Sequence, residues 1–266
     1  MIRHVASDLY VVGECVEGVL GHEAVRVYVL KNGKRPILVD TGSHLHREEI
    51  MKGLDEVLDG TPPEAVFLTH TELPHAGNVR AISQKWPRAT AVVSSTIIPY
   101  IELAPVVELE RIALAPIAEV AAFAGRDFEF VNAPLKDQPA SQWIFDLKTK
   151  TLFTADAFGY YHAPGECELF EGEGGSAIRF GDLREYHRVA FRYLRWVIPG
   201  PLNDALDEVF ARDVRIIAPV HGNPIMNDAK GYVRMLEEVN REICAGSEKA
   251  APRVRSAKKG RRQNRP

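Results

Sequence analysis

Short apolar runs separated by polar turns fill the first part of the chain, at Leu9 to Val12, Val25 to Leu30 and Pro36 to Asp40. Each has strand length, and Asn32-Gly33 between the second and third is hairpin turn chemistry, because both residues tolerate positive φ. The period then changes. From His46 to Leu58, Ile50, Leu54 and Val57 recur at helical spacing, with Glu48 and Glu49 in a first turn whose dipole favours acids. A strand over 65–69, a helix over 76–86, a strand over 89–93 and a helix from about Ser95 to Leu103 follow. Strand patterns return at Asp127 to Val131, Trp143 to Leu147 and Thr151 to Ala155. Amphipathic helices are predicted over about 181–197 and 202–212, then a strand from Arg215 to Pro219 and a final helix over 228–244. Hairpins in a mixed α/β chain bury their apolar faces most readily as two sheets face to face with helices outside. The predicted fold class is therefore α/β, a four-layer αββα sandwich forming one domain over residues 1–245.

Composition narrows this picture. Of 266 residues, 45% are hydrophobic and 26% charged, ordinary for a globular chain with a sizeable core, which excludes bulk disorder. The apolar stretches are strand-length, so no transmembrane helix is predicted. With no signal sequence ahead of Leu9, a cytoplasmic location is expected. Cys15, Cys167 and Cys244 lie far apart and form no C-x-x-C pair, so free thiols are expected rather than a zinc knuckle or a disulfide framework. The net charge of −3 is unevenly placed: after Gly246, Lys249, Arg253, Arg255, Lys258, Lys259, Arg261, Arg262 and Arg265 face Glu248 alone. This segment, 246–266, has too little apolar surface to offset the entropy of ordering and is expected to be a disordered basic tail. A solvated end, not a nucleic-acid site, is the expectation.

Chemistry concentrates in Leu68-Thr69-His70-Thr71-Glu72-Leu73-Pro74-His75-Ala76-Gly77-Asn78, directly after the apolar run Ala65 to Leu68. Pro74 is disruptive inside a helix and biases Leu73 towards an extended backbone, so a strand-end loop is predicted for His70, Glu72 and His75. Three more candidates follow apolar strands: Asp156 after Thr151 to Ala155, His221 after Arg215 to Val220, and Asp137 shortly after Val131. Singly each has a plain structural explanation, such as a turn or helix cap for Asp156. Together, three imidazoles and three carboxylates at strand ends describe a metal site. A mixed N/O donor set without thiolate suits iron or manganese better than structural zinc, and it can hold two ions if one carboxylate bridges. Iron is the expected metal.

The string Thr69-His70-x-Glu72-x-x-His75-x-Gly77, the segment Leu152 to Gly159, Ala218-Pro219-Val220-His221-Gly222 and Leu38-Val39-Asp40-Thr41-Gly42 resemble the metallo-β-lactamase-type domain of flavodiiron proteins. The resemblance extends over most of residues 1–245. It implies that His70 and Glu72 hold a first iron, His75 and His221 a second, and that Asp156 bridges them. Two departures stand out. The family pattern H-x-E-x-D-H has Pro74 where an Asp ligand is expected, and Asp137 aligns with the family's histidine on the first iron. No flavodoxin domain, and hence no FMN, is expected within these residues.

The resemblance implies a non-haem diiron protein that binds or slowly reduces dioxygen or nitric oxide with electrons from a separate donor, or that senses oxygen through a signalling partner. A homodimer is also implied. The rival reading is a metal-dependent hydrolase on the same fold, whose usual pattern H-x-H-x-D-H is broken here by Glu72 and Pro74. Tyr160, Tyr161 and His162 follow Asp156 closely enough to reach bound oxygen from behind the ligands, and His22 is a further candidate above the site.

Overall fold

In the computed structural model the residues described are 1–18, 20–94, 109–170, 173 and 177–248. The chain begins with β1 (Ile2–Ala6), β2 (Leu9–Gly18), β3 (Gly21–Leu30) and β4 (Ile37–Val39), then α1 (Arg47–Leu58) and β5 (Ala65–Phe67). Next come α2 (Leu73–Ala76), α3 (Val79–Lys85), β6 (Thr90–Val93), β7 (Ile112–Leu114), β8 (Val120–Phe123) and β9 (Arg126–Val131). The remainder is β10 (Trp143–Asp146), β11 (Thr151–Phe153), β12 (Tyr161–His162), α4 (Phe180–Ala190), α5 (Pro199–Phe210), β13 (Ile216–Ala218) and α6 (Ala229–Glu248).

Two sheets result. The first runs β1 to β7 in sequence order, with β12 paired to the free end of β3; the second runs β13-β11-β10-β9-β8. Alternation along each strand builds the layers. Tyr28 and Leu30 of β3, Phe67 of β5, Phe128 and Phe130 of β9, Ile144 of β10 and Phe153 of β11 meet between the sheets. Their neighbours point outward: Val27 and Val29 pack with Ile50 and Leu54 of α1, while Trp143, Phe145 and Leu152 pack with Leu206 of α5 and Leu236 of α6. This is the αββα sandwich expected from the pattern.

Several elements differ from expectation, each for a local reason. The helix expected from His46 starts at Arg47, after a 3₁₀ turn over His44–His46. Pro74 does not keep the histidine stretch in a loop. It occupies the first turn of α2, where no backbone N–H is needed, so Leu73, Pro74 and His75 are helical and Glu72 is the residue before the helix. The helix expected over 76–86 is split, and α3 begins only at Val79. The helix expected over 181–197 breaks at Phe191, followed by a 3₁₀ turn over Arg192–Trp196. Strands β1, β7, β8 and β12 carry too little alternation to have been predicted. The expected helix from Ser95 to Leu103 and most of the basic tail lie outside the described residues. No helix among the described residues is long and apolar enough to cross a membrane.

A buried ion pair ties the far ends of the sheets together. Arg126 of β9 donates to Asp146 of β10, at 2.7 Å from Nε to Oδ1, and to Asp8 in the β1–β2 turn at 2.8 Å. The side chains of Arg126 and Asp146 are 2% and 0% exposed, so removing one leaves the other charge without water. Arg126→Met is expected to cost ~3–5 kcal/mol in denaturant unfolding, the penalty of stranding a buried carboxylate. A loss below ~1 kcal/mol would mean that Asp146 recovers hydration, as exposed pairs do.

Candidate metal centre

Parallel strands that end level deliver their following residues to one edge. Val39 of β4 is opposite Phe67 of β5, and Phe153 of β11 is opposite Ala218 of β13. Asp40, His70, Asp156 and His221 therefore leave the two sheets at one end. The sheets are joined there: Arg26 N–H of β3 donates to Val220 O at 3.0 Å, and Tyr28 Oη to Pro219 O at 2.6 Å. Left-handed backbone at Asp40 (φ 60°), Ala155 (φ 53°) and Phe158 (φ 65°) turns these exits sharply. Each such residue costs on the order of 1 kcal/mol or more, which the surrounding hydrogen bonds must hold in place. Ala155 O accepts from Val220 N–H at 2.9 Å, and Phe158 N–H donates to His187 Nε2 at 3.2 Å, with His187 Nδ1 donating to Leu183 O.

The histidine loop is anchored from below. Asp40 accepts from Thr69 N–H at 2.8 Å and from Thr69 Oγ1 at 2.6 Å, and its Oδ2 lies 3.2 Å from His75 Nδ1. Thr41 N–H and Oγ1 both donate to His75 O. Gly77 is required here, since a Cβ would come within 2.5 Å of Leu73 O and 2.7 Å of His44 N. Nδ1 of the His75 ring is thus held by Asp40, and Nε2 points at Asp156.

Asp156 is the hub. Its Oδ1 is 3.2 Å from His75 Nε2 and 2.9 Å from His221 Nε2, while Oδ2 is 3.6 Å from His70 Nε2. Tyr186 Oη donates to Oδ1 at 3.2 Å, an approach that Gly159 permits: a Cβ there would meet the Tyr186 ring at 2.4 Å. His70 Nε2 also contacts Asp137 Oδ2, and Asp137 is steadied by Ser141 Oγ at 2.7 Å. Glu72 is exposed and accepts from Gln138 Nε2 at 2.7 Å. His221 Nδ1 contacts the Glu23 carboxylate. All six residues expected as ligands are therefore in one neighbourhood. His70, Glu72 and Asp137 offer donor atoms within 4.8 Å of one another, and so do His70, His75 and Asp156. These donors fit a cation. A cleft of about 420 Å³ opens above them, lined by Asp156, His221, Glu72, Pro74, Tyr161 and Tyr186 among others.

The electrostatics are those of a cation site holding protons. Burial alone pushes the His75 imidazole down, but the charges of Asp40 and Asp156 outweigh it and raise its pKa to about 10. His221 follows the same balance, with Asp156 and Glu23 raising it to about 9. Burial works to raise Asp156, yet His221 and His75 hold its carboxyl well below the usual range. Tyr186 is pushed well above its ordinary value by burial and by Asp156.

Of the four residues expected around bound oxygen, only Tyr161 lines the cleft. Tyr160 sits behind His221, its Oη accepting from Asn223 N–H at 3.0 Å and its ring against Gly222. His22 and His162 turn the other way, because they are paired across β3 and β12 while their neighbours Glu23 and Tyr161 are paired on the opposite face. They meet Cys15 and Cys167 instead. Sequence reasoning missed Tyr186, Glu23 and His187; the helical spacing of Leu183, Tyr186 and His187 reads as core.

Metal-free protein should show a matching pH response. The raised histidines contribute stability that is fully present below their unfolded value of 6.5 and is lost as pH climbs through about 9 and about 10. In chelator-treated protein the unfolding temperature is expected to fall across that window more steeply than in a His75→Gln, His221→Gln double variant. Equal slopes would contradict the protonated pair.

Diflavin flavoprotein A 1 of Synechocystis is 30% identical over 125 residues, covering 47% of this chain and 22% of that protein. Type A flavoprotein fprA of Rhodobacter capsulatus is 24% identical over 218 residues, covering 77% of this chain and 46% of its own length. The chain thus spans between about a fifth and a half of these relatives. Among solved structures, a mutant flavo di-iron protein from Thermotoga maritima superposes with TM-score 0.76 at 14% identity over 90% of this chain and 62% of that one. Rubredoxin oxygen:oxidoreductase from Desulfovibrio gigas gives 0.72 at 18% identity over 93% of this chain and 62% of that one. The family model described as the metallo-beta-lactamase superfamily matches residues 20–221, a span that holds both sheets' contributions to the metal centre from Glu23 to His221. This chain belongs to the metallo-beta-lactamase superfamily.

Proposed function

We propose that the chain holds a pair of iron ions and uses them to bind or reduce dioxygen or nitric oxide, with electrons from a separate donor protein. The observation that carries this reading is the division of Asp156: Oδ2 faces His70, whereas Oδ1 faces His75 and His221. One carboxylate thereby addresses two donor groups, His70 with Glu72 and Asp137 on one side and His75 with His221 on the other. Iron ions held by the two groups would supply one electron each at adjacent positions to a diatomic ligand, which is the chemistry the paired arrangement suits. The relatives named for flavin and di-iron centres support the choice of metal and of electron supply.

The chain's own residues define how such a site works. Tyr186 Oη holds Asp156 Oδ1 and presents a phenol at the cleft floor, and Tyr161 stands beside it with ring centroids 5.5 Å apart. Both phenols stay protonated at neutral pH, since burial and nearby carboxylates raise them. Tyr186 gives its one O–H to Asp156, so Tyr161 is the phenol that lines the cleft with a proton to offer a ligand. Asp40 and Glu23 orient His75 and His221 by their Nδ1 atoms, leaving Nε2 of each for the metal. Pro74 lines the cleft but supplies no donor, so the His75 side is open to a small ligand and lacks a group to position a hydroxide for hydrolysis. The cleft's volume of about 420 Å³ exceeds what a diatomic needs, and this favours the hydrolase as the second reading.

Iron-loaded protein is expected to contain up to about two irons per chain, both lost in Asp156→Ala, whereas His221→Ala should lose mainly one. Full iron content in Asp156→Ala would remove the bridging role. The anaerobic ferrous protein should change its absorption spectrum promptly in air while showing negligible phosphodiesterase or lactamase turnover. Metal-dependent hydrolysis well above background, together with a spectrum indifferent to oxygen, would replace this reading with the hydrolase.

A further inference from the structure

On the opposite face of the β3–β12 ladder from Glu23 and Tyr161 stands a second cluster: Cys15 of β2, His22 of β3, His162 of β12 and Cys167 from the loop that follows. One donor atom from each lies within 4.8 Å of all the others. From these positions we infer a structural zinc site of the Cys₂His₂ type, separate from the histidine and carboxylate centre.

The distances carry the assignment. Zinc held tetrahedrally at ~2.3 Å from sulfur and ~2.0 Å from nitrogen sets sulfur-to-nitrogen edges of about 3.5 Å. Here Cys15 Sγ is 3.5 Å from His22 Nδ1 and 3.3 Å from His162 Nε2, and Cys167 Sγ is 3.5 Å from His22 Nδ1. Four protein donors would complete a tetrahedron around the ion, which would make the site closed and structural rather than catalytic. Two thiolates with two imidazoles are also a soft set that selects zinc, in contrast to the carboxylate-rich donors across the ladder. A disulfide between Cys15 and Cys167 is the competing use of the same sulfurs, but it leaves both imidazoles without a purpose, and both cysteines are free thiols here.

The surroundings are built to hold the fourth ligand. Cys167 O accepts from Arg26 Nη2 at 2.6 Å and from Asn223 Nδ2 at 3.3 Å, and Asn223 Nδ2 also donates to Leu169 O at 2.8 Å. Arg26 is 1% exposed and its Nε donates to Asn223 Oδ1 at 2.9 Å, so a buried pair clamps the loop that carries Cys167. Two thiolates balance a divalent cation, leaving no net charge beside that guanidinium. Otherwise β12 is attached to the sheet by two residue pairs only, Tyr161 with Glu23 and His162 with His22. Zinc would staple β12, the β2–β3 hairpin and the 163–170 loop into one unit, and so fix Glu23 against His221.

Cobalt(II) tests this in the reduced, metal-depleted full chain. Binding should give thiolate-to-cobalt charge transfer whose intensity corresponds to about one thiolate-bound cobalt per chain and which zinc displaces. Those signals should persist in Asp156→Ala and be lost in the Cys15→Ser, Cys167→Ser double variant. Should the double variant fail to fold, alkylation of the wild-type chain decides: zinc should protect Cys15 and Cys167, identified by mass mapping, and chelation should remove the protection. Absence of charge transfer with cobalt in excess, alkylation rates that zinc does not alter, or a Cys15–Cys167 disulfide that blocks metal uptake until reduced and yields none afterwards would each overturn the site.

Discussion

A carboxylate buried as deeply as Asp156 is tolerable only where positive charge surrounds it, and the rest of the site is arranged to supply that charge. His75 and His221 converge on one of its oxygens, His70 on the other, and Tyr186 donates to it from the helical layer. In the protein without metal, protons on His75 and His221 meet this need. A cation held there would offset Asp40 and Glu23 through the imidazoles they hold and Asp137 and Asp156 directly. Such a cation would answer the same electrostatic demand that limits how the fold tolerates these clustered acids.

Holding these groups together requires strand ends that stop level and turn abruptly. The parallel pairs β4–β5 and β11–β13 provide the level edge, and the left-handed residues Asp40, Ala155 and Phe158 provide the turns. Conformations of that kind survive where neighbouring hydrogen bonds leave the chain no alternative, as Val220 and His187 do around Asp156. Functional precision here rests on backbone that is locally unfavourable and globally enforced.

Much of this is legible in the amino-acid sequence for a specific reason. Buried parallel strands read as unbroken apolar runs, so the residues that follow Phe67, Phe153 and Ala218 are recognisable as strand-end positions from the order of residues alone. The αββα layering follows from the same runs. Pro74 misleads because its effect depends on position within a helix, and the first turn of α2 is the one place where a proline is harmless. Strand β12 is invisible because two residues carry no period; only its partner β3 defines it. Cys15 and Cys167 look isolated since contacts across 147 residues, such as that of Cys15 with His162, leave no local spacing. The one available hint is a pair of short spacings, Cys15 to His22 and His162 to Cys167, neither of which is a C-x-x-C pattern.

The two-pair ladder between β3 and β12 has a consequence for how this chain can vary. Side chains on a strand alternate with period two, so a register slip of one residue exchanges the faces. Such a slip of β12 would turn His162 into the cleft and Tyr161 to the thiols while β3 stays fixed by its pairing with β2, so both sides of the partition lose a residue in a single event. An insertion or deletion between Asp156 and Tyr161 is therefore a lesion in two places at once. Natural variation in this region should proceed by substitution at fixed length, with the number of residues from Asp156 to Cys167 preserved while their identities change.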